Sequence, residues 1–158
     1  MANDEIYTIG HSRLDIGAFV RLLLDHGVQC VANVRSVPSS RFAPQYNRQR
    51  LSEVLMENDI RYLYMGDRLG GRIRDPECFL DRRVPDRNRF MDMIDYGAVV
   101  SKEWFSGAID ELIGISRGTR TALLCSEEDP EKCHRKMLVG RRLEEKGIRV
   151  VHIRSKIA

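Results

Sequence analysis

Five short apolar runs, separated by stretches in which apolar residues recur every three or four positions, restrict this chain to few folds. The runs are residues 6–9, 28–34, 61–65, 121–125 and 148–153. Val28 to Val34 is almost entirely apolar, the pattern of a strand covered on both faces. The intervening stretches read as amphipathic helices. Asp15 and Gly27 bracket one from Ile16 to His26, with Phe19, Val20, Leu22 and Leu23 inward. Asn47 heads a second, to about Glu57. Ser101 heads a third, to Ser116, whose Trp104, Phe105, Ala108, Ile109, Leu112 and Ile113 are assigned to the core. A fourth runs from about Pro130 to Lys146, started by Asp129 and closed by Gly147. Alternating strands and helices predict an α/β fold: a single three-layer α/β/α domain around a mainly parallel five-stranded sheet. The domain takes in residues 1–158, with an irregular excursion at about 67–100. That region is polar and rich in Pro and Arg, and it carries one short expected helix at 86–94.

Composition narrows the class. With 42% hydrophobic and 31% charged residues, the chain is globular rather than disordered. No apolar run approaches membrane-spanning length, and Met1-Ala-Asn-Asp-Glu5 lacks the basic-then-apolar signal pattern, which excludes a membrane partner and predicts a cytoplasmic protein. Cys30, Cys78, Cys125 and Cys133 are then thiols, and no C-x-x-C pair suggests a zinc knuckle. The net charge is only +3, but the cations are 21 Arg against 5 Lys. Between Asn33 and Ser52 stand Arg35, Arg41, Arg48 and Arg50 without one acid. Arg binds phosphate and carboxylate through a planar fork.

In a parallel sheet, ligands bind beyond the carboxyl ends of the strands. His11 follows the first run; Arg35, Ser36 and Arg41 the second; Asp67, Gly70 and Gly71 the third. Cys125 closes the fourth run, with Glu127, Cys133, His134 and Arg135 beyond it, and His152 lies near the end of the fifth. These loops are expected to meet on one rim. Cys125, at the junction of strand, loop and helix, is the position of a nucleophile whose thiolate a helix N-terminus and Arg would stabilise. Against that stand the three acids of Ser126-Glu-Glu-Asp-Pro130. Cys133, His134 and His11 complete the catalytic candidates. Arg35, Ser36, Arg41, Glu127, Arg135, Gly70 and Gly71 are the substrate-binding candidates, with Gly70-Gly71 meeting a backbone need rather than forming a phosphate cradle. Cys125, Cys133, His134 and His11 also make a conceivable zinc set, which the C-x7-C spacing disfavours. No metal ligand is therefore assigned, and the cofactor question stays open.

Thr8-Ile-Gly-His-Ser12, Val34-Arg-Ser-Val-Pro-Ser-Ser-Arg41, Leu69-Gly-Gly71, Leu123-Leu-Cys-Ser-Glu127, Cys133-His-Arg135 and Val151-His-Ile153 together resemble the family catalogued as domain of unknown function 488. The resemblance implies an α/β fold and a recurrent residue set but no settled activity. It also implies an Asp where this chain has Asn33. An Asn there can serve neither as a base nor as a carboxylate ligand, so a role of that kind would be lost.

The residues favour an anion-binding pocket, in an enzyme acting on a phosphate- or carboxylate-bearing small molecule or nucleotide by hydrolysis or transfer through Cys, His and Arg. Two alternatives use the same features: a nucleic-acid-associated repair or modification protein, suggested by the acid-free Arg stretch with Phe42 and Tyr46, and a non-catalytic ligand sensor.

Overall fold

A computed structural model describes residues 4–86 and 90–155. The apolar runs form five strands, β1 (Glu5–Gly10), β2 (Cys30–Asn33), β3 (Arg61–Tyr64), β4 (Thr121–Cys125) and β5 (Arg149–Ile153). All pair in parallel, in the order β3-β2-β4-β1-β5. The central strand is β4, and all five of its residues are buried. Its side chains divide between the two faces as a period of two requires. Ala122 and Leu124 pack with Phe19, Leu23, Leu51 and Leu55 from helices α1 (Ile16–Asp25) and α2 (Arg48–Glu57). Leu123 packs with Phe105, Ile109 and Leu112 of α6 (Glu103–Gly118) on the other side. The architecture is therefore a single α/β domain with helices on both faces. No helix among the described residues is long and apolar enough to cross a membrane.

Local chemistry explains most boundaries. The Asp15 carboxylate accepts from the backbone N–H groups of Gly17 and Ala18 and starts α1. Gly27, at φ 69°, carries the chain out of it. Several expectations change. Asn47 does not cap α2: its side-chain oxygen accepts from the Ser40 N–H, tying down the preceding loop. Residues 66–69, read as loop, form a single helical turn, α3 (Gly66–Leu69). Ser101 belongs to the helix before α6, where its hydroxyl donates to the Ala98 carbonyl at 2.7 Å. That helix, α5 (Tyr96–Val100), is started by Asp95 and escaped the sequence reading, being shorter than two turns. It is preceded by α4 (Phe90–Met93); residues 87–89 of the helix expected at 86–94 lie outside the described residues. The excursion is anchored by Ile73, Cys78, Phe79 and Val99, all in the core. Trp104, assigned to the core, is only half-buried.

The largest departure is after β4, where one continuous helix was expected. Asp129 starts only a 3-10 turn, Pro130–Lys132. Cys133 is then extended, at φ −134° and ψ 142°. A π-helix follows over Arg135–Gly140, and only Arg141–Glu145 is α-helical (α7). π-helical turns are rare and concentrate at functional sites.

Candidate active site

The sheet order leaves a crevice at the ends of β2, β4 and β1. The chain leaves β2 toward β3 on one side and leaves β4 toward β5 on the other, and such a reversal opens a binding site. Cys125, at the end of β4, is 7% exposed. The extended conformation of Cys133 brings its thiol to 2.6 Å from the Cys125 sulfur. His134 follows, with Nδ1 at 3.8 Å from Cys125 Sγ and 3.6 Å from Cys133 Sγ. Its other nitrogen, Nε2, lies 3.0 Å from the Val34 carbonyl. A carbonyl can only accept, so Nε2 carries a proton and Nδ1 faces the two sulfurs.

This arrangement separates the two thiols. The Cys133 S–H donating to Cys125 lowers the Cys125 pKa well below the ordinary thiol range. His134 and the backbone N–H of Glu127 act in the same direction, against burial. Cys133 moves up, because it is the donor to Cys125 and because it is buried. Burial alone would lower the pKa of His134, but the Cys125 thiolate outweighs it and raises the pKa. The geometry thus favours a Cys125 thiolate beside a His134 imidazolium, with Cys133 protonated.

Arg35, 3% exposed, lies near enough to the Cys125 thiolate for each charge to favour the other. Its Nε and its backbone N–H both donate to the Asn33 side-chain oxygen at 3.1 Å. Nη1 donates to His11 Nε2 at 3.2 Å, and Nη2 to the Tyr46 carbonyl. Among the described residues no carboxylate pairs with it, so the thiolate is a natural counter-charge. Asn33 is thus the residue that aims Arg35, in a hub with the Tyr62 hydroxyl at 3.0 Å.

His11 serves Arg35 rather than the thiols. Its Nδ1 lies 2.7 Å from the Ser12 carbonyl and its ring stacks on Tyr46 at 4.1 Å. A proton on Nδ1 and a lone pair toward Arg35 mean a neutral ring. Burial pulls its pKa from 6.5 down to about 4, with Arg35 adding to the effect. Folding therefore favours the neutral form, so His11 contributes stability that is complete above pH 6.5 and is lost as the pH falls toward 4. On lowering the pH from 7.5 to 4.5, the His11→Gln variant is expected to lose about 2 kcal/mol less stability than the parent. Urea midpoints at the two pH values check this; equal losses would contradict it.

Arg35, Ser36, Gly71, Arg72, Ser126 and His134 surround the thiolate in an open cavity of about 180 Å³. A second cavity, of about 260 Å³, adjoins it and reaches Cys133 and Lys132. A groove of about 670 Å³ shares Ser36 and Arg72 with the first and continues past Tyr64, Arg74 and Trp104. The glycine pair makes this proximity available: a Cβ on Gly70 would lie 2.2 Å from Ser36 Oγ, and one on Gly71 3.1 Å from His134 Cγ. Close backbone approach is what these glycines supply.

Of the other candidates, Glu127 lines the adjoining cavity, while Arg135, Arg41 and His152 line none of the three. Arg135 is fully buried and turned away, its guanidinium donating to the carbonyls of Glu127 and Glu128 and to Thr8 Oγ1. The Glu127 carboxylate is exposed and accepts from the Asp129 N–H. Arg41 is exposed and lines none of the three cavities. His152 bonds to Thr8 Oγ1 on the Arg135 side. Arg72, Ser126 and Asn33 were not singled out for binding by sequence; Arg72, directly after Gly70-Gly71, was the one with a visible signal.

Cys125 Sγ, Cys133 Sγ and His134 Nδ1 all lie within 4.8 Å of one another, a spacing from which a metal ion could be held. Two thiolates on tetrahedral zinc stand about 3.8 Å apart for Zn–S near 2.3 Å, so the sulfurs at 2.6 Å would have to separate. Both nitrogens of His11 are engaged elsewhere, which removes the fourth member of the zinc set considered from sequence.

No curated protein and no solved structure matches the chain. One family profile does, over residues 15–142, a span that contains Asn33, Arg35, Cys125, Cys133 and His134. The chain belongs to that family, described as Domain of unknown function DUF488.

Proposed function

We propose that this protein is an enzyme in which Cys125 attacks a small substrate bearing a carboxylate or phosphate. The observation that carries the reading is the Cys125 sulfur, held against a thiol donor and an imidazole at the floor of a cavity with Arg35 and Arg72 in its wall. His134 stabilises the thiolate and returns a proton to the leaving group. Cys133 sustains the thiolate by donating its S–H. Arg35 supplies positive charge close by, and the exposed Arg72 takes the anionic group of the substrate, near Ser36 and the Gly70-Gly71 backbone. His11 and Asn33 act by positioning Arg35. The adjoining groove gives room for the rest of the substrate, with Trp104 and Tyr64 on its walls.

Alkylation as a function of pH tests the reading. Cys125 is expected to react with iodoacetamide with a midpoint well below the ~8.5 of an unperturbed thiol. Anionic iodoacetate should gain rate relative to iodoacetamide, and phosphate or small carboxylates should protect the thiol. Arg72→Ala should abolish the preference for the anionic reagent. A Cys125 midpoint in the ordinary range, with no preference between the reagents, would sink the proposal.

A further inference from the structure

The nucleophile reading uses Cys133 only as a proton donor, yet a second thiol at that distance has a chemistry of its own. Sulfur atoms at 2.6 Å are well inside ordinary non-bonded contact and close to the ~2.05 Å of a disulfide bond. The extended backbone at Cys133 produces this approach, breaking what would otherwise continue as helix. Both thiols open on cavities, Cys125 on both and Cys133 on the adjoining one. The remaining two thiols, Cys30 and Cys78, are fully buried elsewhere in the domain.

Resting on the thiolate reading above, we infer that Cys125 and Cys133 form a dithiol exchange centre, and that the substrate is a small disulfide carrying carboxylates. Cys125 is the attacking sulfur and Cys133 the resolving one. The Cys125 thiolate attacks one sulfur of the substrate disulfide. The S–S bond of the substrate breaks, and the first thiol leaves with the proton of the His134 imidazolium. Cys125 is now in a mixed disulfide with the other half of the substrate, and His134 is neutral. Cys133 then passes its proton to His134 Nδ1, 3.6 Å away, and attacks the Cys125 sulfur. The second substrate thiol leaves and takes that proton. One disulfide is reduced to two thiols, and the Cys125–Cys133 pair is oxidised by the same two electrons. A dithiol reductant must restore the pair before another turnover.

The cavity wall selects for charge. Arg72 is exposed, with its guanidinium directed to no carboxylate among the described residues, and Arg35 is buried without one. On the Cys133 side Lys132 and the exposed Glu127 line the cavity together and offset one another, so the positive wall is that of Arg35 and Arg72. A substrate with a carboxylate beside its disulfide could engage Arg72 next to the reacting sulfur, which an uncharged disulfide could not.

The test uses the reduced full-length chain with two probes, oxidised glutathione and uncharged 2-hydroxyethyl disulfide, read by intact mass and by free-thiol count. The parent should lose two thiols and two hydrogens and retain no adduct. Cys133→Ser and Cys133→Ala, each checked for folding by circular dichroism, should stop at one glutathione on Cys125. Cys125→Ser should not react, and Cys30 and Cys78 should stay reduced throughout. The uncharged probe should react about tenfold more slowly, the effect of losing one charge-assisted contact. A stable mixed disulfide in the parent would overturn the resolving role of Cys133. Inertness to both disulfides, with Cys125 still alkylated rapidly at low pH, would overturn the substrate class and leave the thiolate reading standing. Inertness to disulfides and alkylating agents alike would remove both. Near-stoichiometric zinc, with thiols freed only by a chelator, would overturn the dithiol centre in favour of a metal site.

Discussion

Replacement of Arg135 by methionine is expected to lower stability by about 3 kcal/mol or more. This residue is among the largest fully buried side chains of the described residues, and its interior guanidinium holds two carbonyls, those of Glu127 and Glu128, together with Thr8 Oγ1. Methionine fills much of the volume but donates nothing. Three acceptors are then left without this donor in a site where water enters poorly, at about 1–3 kcal/mol for each group that stays unpaired. Denaturant unfolding should show a lower midpoint with an unchanged slope. Lysine should recover less than half of the loss, because one ammonium cannot reproduce a planar fork across two adjacent carbonyls. Equal stability of the methionine variant and the parent would show that the loop after β4 holds its shape without this clamp. Since the Glu127 N–H also supports the Cys125 thiolate, the methionine variant should in addition alkylate more slowly at neutral pH.

A comparable loss, about 3 kcal/mol, is expected for Gly10→Ala, at the upper end of the usual cost of overpacking. A Cβ at this position would stand 1.7 Å from the Glu127 carbonyl oxygen and 2.8 Å from the Glu128 Cα. Both obstacles are backbone, and Arg135 holds the same two residues from the other side, so neither can give way cheaply. For a domain of this size the loss corresponds to roughly 6–12 °C in the melting temperature. Gly107→Ala provides the contrast. Its Cβ would meet nothing within 4 Å on α6, and removing a helical glycine should stabilise by about 0.5–1 kcal/mol. If the two alanine variants melted alike, the steric account of Gly10 would be wrong.

The fold was legible because its information is periodic. The alternation of apolar runs with amphipathic stretches specified the strands, α1, α2 and α6, and hence the sheet and its two helical layers. The excursion was illegible in detail because its anchors, such as Ile73, Cys78, Phe79 and Val99, are single apolar residues without a period. The region after Cys125 was misread for a different reason. The Asp129-Pro130 start and the Leu138 and Leu143 positions are compatible with one helix, and the extended Cys133 that interrupts it carries no periodic signal. At the site, the residues that touch the cavity through side chains in short motifs, Arg35, Ser36, Cys125 and His134, stood out in sequence. Arg135 stood out equally and faces elsewhere, because the type of a residue does not reveal which side of a loop it occupies. Asn33 was visible only as a departure from an expected Asp. Its part in aiming Arg35 depends on the distance from its amide oxygen to a guanidinium two residues on, which no spacing rule supplies.

The sheet order has a consequence for how the chain is made. β1 and β2 are not neighbours; each pairs with β4, which is inserted between them. A nascent chain that has emerged only to α6 can therefore close no sheet larger than β2 with β3, and β1 must wait with both edges bare. The sheet condenses only once residues 121–125 have left the ribosome, and those residues end in Cys125. The reactive thiol thus arrives on the strand that completes the central pairings, and Cys133 and His134 follow within nine residues. Long-range pairing of this kind is slow, so delivery of the sulfur and closure of its surroundings are linked in time as well as in space.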